Sequence, residues 1–459
     1  MRKTVLTLGI ACMAQMASAQ AISTELINKA RMQKLTASEK AIRNAMGSTE
    51  IKKLAVNQDN AAEMDTYFSD EVSVKGITDQ KSSGRCWLFT GMNVLRSKVI
   101  ADNKLDDFRF SQVYLFFWDQ FEKSNLFLQG VIDTRQKPMT DKMVDWLFSN
   151  PLSDGGTFTG VADLTAKYGV VPQSVMPETY IANHTSAFSR QLKSKLREFG
   201  MELRSDSKAK ADKLIKRKEE MLLQVYKMLV MAYGEPPVEF DFAFKDKNGK
   251  LMGEKKHYTP QSFYKEVFGD NLTDNYIMLM NDPSHEYWKT YEIDFDRHTY
   301  DGHNWLYLNL PIEEIKKAAI ASIKDGKAMY FSCDVGKFLD SERGLLDLNN
   351  YDYGSLFGTT FGMDKEKRVK SHDSGSSHAM TLVAVDLDEK GNSKKWKVEN
   401  SWGASSGHKG YLIMTDEWFN EYMFRLVINK KYATEKMIEL SKTKPILLPA
   451  WDPMFAGEE

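Results

Sequence analysis

The hydrophobic period changes along this 459-residue chain, and the change divides it into a helical front and a β-rich back. From Cys86 to Ile100, Leu88, Met92, Leu95 and Val99 recur at helical spacing, so one face packs inward. Ser111 to Glu122 is a second, very aromatic helix candidate. Val161 to Tyr168 is a third, stopped by Gly169 and followed by a strand at Val170-Val171. From Ser189 to Tyr233 the run is rich in Lys, Glu, Leu and Met, which predicts one long helix or a helical pair. Residues 235–300 are mixed and loop-rich. After Pro311 comes a helix from Ile312 to Lys324, with Gly326 as its stop. Short strand-like runs then follow at Ala379 to Val385, Lys395 to Glu399, Gly410 to Met414 and Arg425 to Asn429. Short strands with Gly- and Asn-containing turns predict an antiparallel meander or small barrel. The fold class is therefore α+β, and the length calls for two or three units.

The first residues read as an address. Arg2 and Lys3 precede a mostly apolar run from Thr4 to Met16, and Ala17-Ser18-Ala19 supplies a small-x-small cleavage pattern. A signal peptide over residues 1–19 and export, to a periplasm or outside the cell, are expected. Gly9-Ile10-Ala11 is a poor lead-in for lipid attachment at Cys12. No later run is long and apolar enough to span a bilayer. The net charge of −1 singles out neither nucleic acid nor membrane as a partner. Cleavage would leave Cys86 and Cys333. Export permits a disulfide between them, but that bond would consume Cys86. Cys333 ends the apolar run Ala328 to Cys333 and reads as a buried thiol.

Cys86 stands where the Ser/Gly loop Gln80 to Arg85 gives way to the first helix. A thiol at a helix N-terminus meets unpaired backbone N–H groups and the positive end of the dipole, and both favour the reactive thiolate. Gln80, six residues upstream, offers an amide to a developing oxyanion. A thiolate nucleophile needs a base, usually His, oriented by a third group. Of the eight histidines, His378 opens the strand Ala379 to Val383, and the next strand ends at Asn400 after one hairpin. Trp402 follows closely enough to shield a His–Asn bond from water. Alone, His378 reads equally well as structural; with Cys86, Gln80 and Asn400 it reads as the base. His372, in the polar stretch Ser371 to Ser377, competes for that role. His184, His257, His285, His298, His303 and His408 fall in loops or turns, with no pair at metal-site spacing. No phosphate-binding Gly loop is present, so neither cofactor nor metal is expected. Lys193 to Lys218 is basic; a solvated helix face is its default reading, with a nucleic-acid surface as the rival.

These residues carry a resemblance. Gln80…Gly84-Arg85-Cys86-Trp87, His378-Ala379-Met380 and Asn400-Ser401-Trp402-Gly403…Gly407…Gly410-Tyr411 resemble the papain-like cysteine peptidases. Asn281-Asp282-Pro283, Cys333-Asp334-Val335-Gly336-Lys337 and Leu448-Pro449-Ala450-Trp451-Asp452-Pro453-Met454 resemble the bleomycin hydrolase and bacterial aminopeptidase C group. The resemblance implies Cys86 as nucleophile, His378 as base and later acid, Asn400 as orienter, and Gln80 with the Cys86 N–H as oxyanion hole. Gly155-Gly156 would pair with the substrate backbone; Thr157-Phe158 stands where the family tends to have Gln-Trp. It also implies a helical domain over 20–188 carrying the Cys, a helical or mixed insertion over 189–300, a β-rich domain over 301–440 carrying His and Asn, and a tail over 441–459 reaching the cleft. That tail blocks one side of the cleft, and Glu459 or its neighbour would meet a substrate α-amino group. The implied enzyme trims peptides from the N-terminus and assembles as a homohexamer. The rival readings are an endopeptidase with an open cleft and a non-catalytic or nucleic-acid-binding oligomeric scaffold.

Overall fold

The computed structural model describes residues 21–62, 64–206 and 208–454. The expected signal peptide lies outside the described residues. The described residues divide into two compact units, one of 21–61 with 351–361, the other of 62–350 with 362–454. Among the helices of the first are Thr24–Met32 and Ala37–Met46. A capping box opens the second of these: Thr36 Oγ1 accepts from Glu39 N–H, and Glu39 Oε2 from Thr36 N–H. Everything below concerns the larger unit.

Its helical part begins with α1 (Cys86–Asn103) and α2 (Gln112–Asp133), followed by α3 (Phe158–Tyr168). The aromatic density of α2 has a plain cause. Tyr114, Leu115, Phe116 and Phe117 are all buried, so the helix is covered on most sides. The Lys/Glu-rich run is a helical pair, α4 (Thr185–Ser205) and α5 (Ala211–Tyr233), both packed on α2. Some of its basic residues bring their own acids: Arg217 meets Glu202 and Glu220 at 2.6 and 2.7 Å, and Lys213 meets Asp206 at 2.7 Å. Val170-Val171 is not a strand, contrary to expectation. Gly169, at φ +71°, and Pro172 confine the run to two residues. The backbone groups of that pair serve loop bonds instead, Val170 N–H to Pro260 O and Ser111 N–H to Val171 O.

The β part is one long, mainly antiparallel sheet. Its strands are β1 (Tyr276–Met280), β2 (Lys289–Ile293), β3 (Leu306–Asn309), β4 (Met329–Cys333), β5 (His378–Leu387), β6 (Ser393–Glu399), β7 (Tyr411–Thr415), β8 (Met423–Asn429) and β9 (Ile446–Leu448). They lie in the order β9-β2-β3-β1-β8-β4-β5-β6-β7, with residues 345–346 and 339–340 beyond β7. The expected meander is present as β5-β6-β7, toward one end of the sheet, but Arg425–Asn429 does not continue it: β8 lies on the other side of β4 and pairs with β4 and β1. Helix α6 (Ile312–Lys324) packs on this sheet through Ile315, Ala319 and Ile323. One hydrophobic core lies among the helices around Trp87, Leu115 and Val161, and a second around Leu382, Trp396 and Trp418. Arg96 of α1 reaches between the two parts to Glu399 of β6, 2.5 Å away, with both side chains buried. Among the described residues, no helix is long and apolar enough to cross a membrane.

Candidate active site

Helix α1 starts at Cys86 with Arg85 at the cap position and no side-chain cap on its N–H groups. The loop ahead of it is held from several sides. Gln80 N–H donates to Ser401 O at 2.8 Å, and Gly403 N–H to Thr78 O at 3.1 Å. Gly403 has φ +83°, and a Cβ there would stand 2.8 Å from Asp79 Oδ2, so only glycine permits this clip. Arg85 is fully buried; it pairs with Glu178 at 2.8 Å and bonds Ser83 Oγ through Nε at 3.0 Å. The loop bearing Cys86 is thereby fastened to the loop bearing Asn400.

His378 is the first residue of β5, and the register that pairs Thr381 with Glu399 sets Asn400 level with that strand end. His378 Nε2 lies 2.8 Å from Asn400 Oδ1. The backbone N–H of Ser401 also donates to Oδ1, at 2.8 Å, which fixes that atom as the oxygen. Nε2 is therefore the donor, and the neutral ring keeps its lone pair on Nδ1. The Trp402 ring lies 4.9 Å from the His378 ring, centroid to centroid, as a shield on this bond. Burial pushes His378 down to about 4, and the Asn400 bond only partly opposes this. Gln80 Oε1 accepts from Ser401 Oγ at 2.7 Å, and Gln80 Nε2 gives one hydrogen to Ser83 O at 2.7 Å. The second amide hydrogen remains available.

Cys86, Gln80, His378, Gly155 and Gly156 line one cavity of about 610 Å3. His372 does not line it; that residue is exposed in a turn at φ +60°. Cys333 pairs with His378 across β4 and β5. Burial pushes its thiol well up, which leaves it a poor nucleophile. Cys86 and Cys333 are both thiols rather than disulfide partners.

Gly155 and Gly156 meet the cavity through their backbone. Glycine at 156 also has a packing reason. A Cβ there would stand 2.2 Å from His298 Cε1 and 2.9 Å from the Trp87 ring. Its small size therefore serves packing from behind. Glu459 lies outside the described residues. The described tail runs to the cavity rim, where buried Met454 places its carbonyl against Gly375, next to the lining residues Ser376 and Ser377. Ala450 and Trp451 line a second cavity, of about 450 Å3, that shares Ser153, Gly155, Gly156 and Lys193 with the first. Sequence reasoning passed over Asp119, Lys123 and His298, which meet behind this segment. The one local signal was an acid, Asp119, directly after the aromatic run Phe116-Phe117-Trp118.

The chain matches the Peptidase C1-like family over residues 21–455. It belongs to that family. It is 40% identical to Aminopeptidase E of Lactobacillus helveticus, over 90% of this chain and 94% of that protein. It is equally similar, at 40%, to human bleomycin hydrolase, over 84% of this chain and 87% of that protein. The crystal structure of PepW from Lactobacillus rhamnosis superposes with a TM-score of 0.90 and 36% identity, covering 95% of this chain and 99% of that one. This Peptidase C1-like chain is thus a cysteine-type peptidase with an α+β fold, and the resemblance to the bleomycin hydrolase and aminopeptidase C group holds.

Proposed function

We propose that the chain is an exported cysteine aminopeptidase, with Cys86 as nucleophile, His378 as general base and acid, Asn400 as the orienting residue and Gln80 as an oxyanion donor. The observation that carries this reading is the His378–Asn400 bond, which leaves Nδ1 as the basic nitrogen in the cavity that Cys86 lines. In the proposed sequence Sγ attacks the carbonyl carbon of the first peptide bond as the thiol proton passes to His378. The oxyanion takes hydrogen bonds from Gln80 Nε2 and Cys86 N–H. The tetrahedral carbon collapses to a thioester as His378 returns the proton to the leaving amine. Water, deprotonated by His378, then attacks the thioester and releases the acid.

Substrate entry from the N-terminus is argued from the tail. Its described part reaches the cavity rim at Met454, and the residues that follow include Glu458 and Glu459, whose charge suits an ammonium group. The names of the relatives agree with an exopeptidase. Export is argued from residues 1–19, and N-terminal sequencing of secreted material beginning at Gln20 tests it. A homohexamer, implied by the family resemblance, is tested by sedimentation.

A panel of free-amino and N-acetylated fluorogenic peptides tests the activity, on the full chain and on a chain ending at Met454. Free-amino substrates are expected to turn over, blocked ones to fail, and the shortened chain to accept blocked ones. Equal cleavage of blocked peptides by the full chain makes it an open-cleft endopeptidase. Turnover by Cys86→Ala rejects the thiol mechanism.

A further inference from the structure

Behind Gly155 and Gly156 sits a buried polar network that no part of the proposed chemistry uses. His298 is 2% exposed, and its Nδ1 lies 2.5 Å from Oδ1 of Asp119, itself fully buried on α2. The N–H of Thr157 points at His298 Nε2 from 3.3 Å. A backbone N–H only donates, so Nε2 carries the lone pair and Nδ1–H is given to the carboxylate. Lys123, one turn along α2, places Nζ 3.0 Å from Asp119 Oδ2 and bonds Ser153 O at 3.1 Å and Gly155 O at 2.6 Å. Gln120 Nε2 bonds both Asp119 Oδ2 and Ser153 O at 3.0 Å. Burial pushes the Asp119 carboxyl up, but Lys123 and His298 outweigh it and hold it below the usual range.

The network holds the segment 153–157 by its backbone from one side: two carbonyls by α2, one N–H by His298. The His298 ring also fills the space beside Gly156 and Gly160, where added Cβ atoms would stand 2.2 and 2.3 Å from it. It packs 4.6 Å from the ring of Trp87, the neighbour of Cys86. Among the described residues, neither the N–H nor the C=O of Gly156 has a backbone partner, and Gly156 lines the cavity. We propose that His298, oriented by Asp119, is a positioning residue: it sets the distance between Cys86 and the Gly156 backbone groups that pair with an extended substrate. The inference rests on the reading of the cavity as a peptidase site. It explains why four polar side chains, Asp119, Gln120, Lys123 and His298, occupy a helix–loop junction where apolar packing would fill the space more simply. Recognition of a backbone pair is strict in distance, and a 1 Å error in such alignment can cost about 10²-fold in rate.

The test compares peptide hydrolysis with alkylation of Cys86 by iodoacetamide, which needs no backbone pairing. In His298→Ala, kcat/KM for a free-amino peptide is expected to fall roughly 10- to 100-fold, while alkylation stays within about threefold of the unaltered chain. His298→Gln keeps an acceptor near the Nε2 position and is expected to recover most of the loss. Should His298→Ala fail to fold, Lys123→Met, which releases Gly155 O, is expected to show the same split. Unchanged kcat/KM in a folded variant overturns the proposal. So does a parallel fall in alkylation, because it places the defect at the thiol. Absence of peptide hydrolysis by the unaltered chain rejects the site reading itself.

Discussion

His378 Nε2 and Asn400 Oδ1 lie 2.8 Å apart, and the second donor on that oxygen, Ser401 N–H, leaves the imidazole one way to serve as a base. Without Asn400 the buried ring has no fixed tautomer, and its Nε2–H has no acceptor. Asn400→Ala is expected to lower kcat by about 10- to 100-fold, a fraction of what a general base contributes, with KM changing little. Steady-state kinetics check this. A fall confined to KM would assign Asn400 to substrate binding instead.

The depressed basicity of His378 has a sign that can be worked through. Its value in the fold, about 4, lies below the ordinary 6.5, so between those limits the unfolded chain binds the extra proton. Stability from this group is fully present above pH 6.5 and is lost as pH falls toward 4. In Cys86→Ser no thiolate couples to the ring, so His378 titrates alone. Urea titrations of that variant at pH 7 and pH 4 are expected to differ by roughly 3 kcal/mol on account of this group. NMR of the ring is expected to show a midpoint far below 6.5, and a midpoint at or above 6.5 contradicts the burial argument.

Gln80 gives one amide hydrogen to Ser83 O, and Ser401 Oγ on its Oε1 prevents the amide from flipping. Gln80→Ala is expected to cost about 10²- to 10³-fold in kcat, the range for one oxyanion donor. Gln80→Glu, which retains size but loses the donor, is expected to fall by a similar factor. Full activity in both would remove Gln80 from the oxyanion hole.

Cys86, His378 and Asn400 were legible because each carries a local signal: a loop-to-helix transition, a strand start and a short hairpin whose register is fixed by Asp388 to Asn392. His298 was not. Its partner Asp119 is 179 positions away, and neither the aromatic period of α2 nor the loop around 298 shows that they meet. The sheet was legible only in its β5-β6-β7 meander. The pairs β1–β3 and β2–β9 are parallel and join distant segments, so no turn residue announces them. Val170-Val171 failed as a strand because two β-branched residues cannot form a ladder between a left-handed glycine and a proline.

Arg96 and Glu399 link the helix that begins at Cys86 to the strand that ends beside Asn400. Burial raises the Glu399 carboxyl and Arg96 opposes this, so the pair is held together by mutual need. Arg96→Met alone leaves a buried acid and is expected to cost about 3–5 kcal/mol in urea unfolding. Arg96→Met with Glu399→Leu is expected to recover much of that loss. If the double variant is as unstable as the single, packing rather than charge explains the defect.

The tail is anchored by a histidine that holds its proton more tightly than usual. His285 Nδ1 lies 2.9 Å from Asp282 Oδ2, and its Nε2 faces Asp452 Oδ2 at 3.5 Å. Asp282 raises the ring above its ordinary value; burial opposes this, Asp452 adds to it, and Lys370 lowers it slightly. A raised value gives stability that is complete below pH 6.5 and is lost as pH rises through the folded value. Asp452→Asn removes the carboxylate by which the tail takes part. If the tail blocks one end of the cleft, this variant should cleave N-acetylated peptides faster relative to free-amino ones. The gap from the unaltered chain should be widest in mild acid, where His285 is charged, and should narrow as pH rises past its titration. The measurement is the ratio of the two kcat/KM values across that range. A ratio equal to that of the unaltered chain at every pH would show that this ion pair does not set the position of the tail.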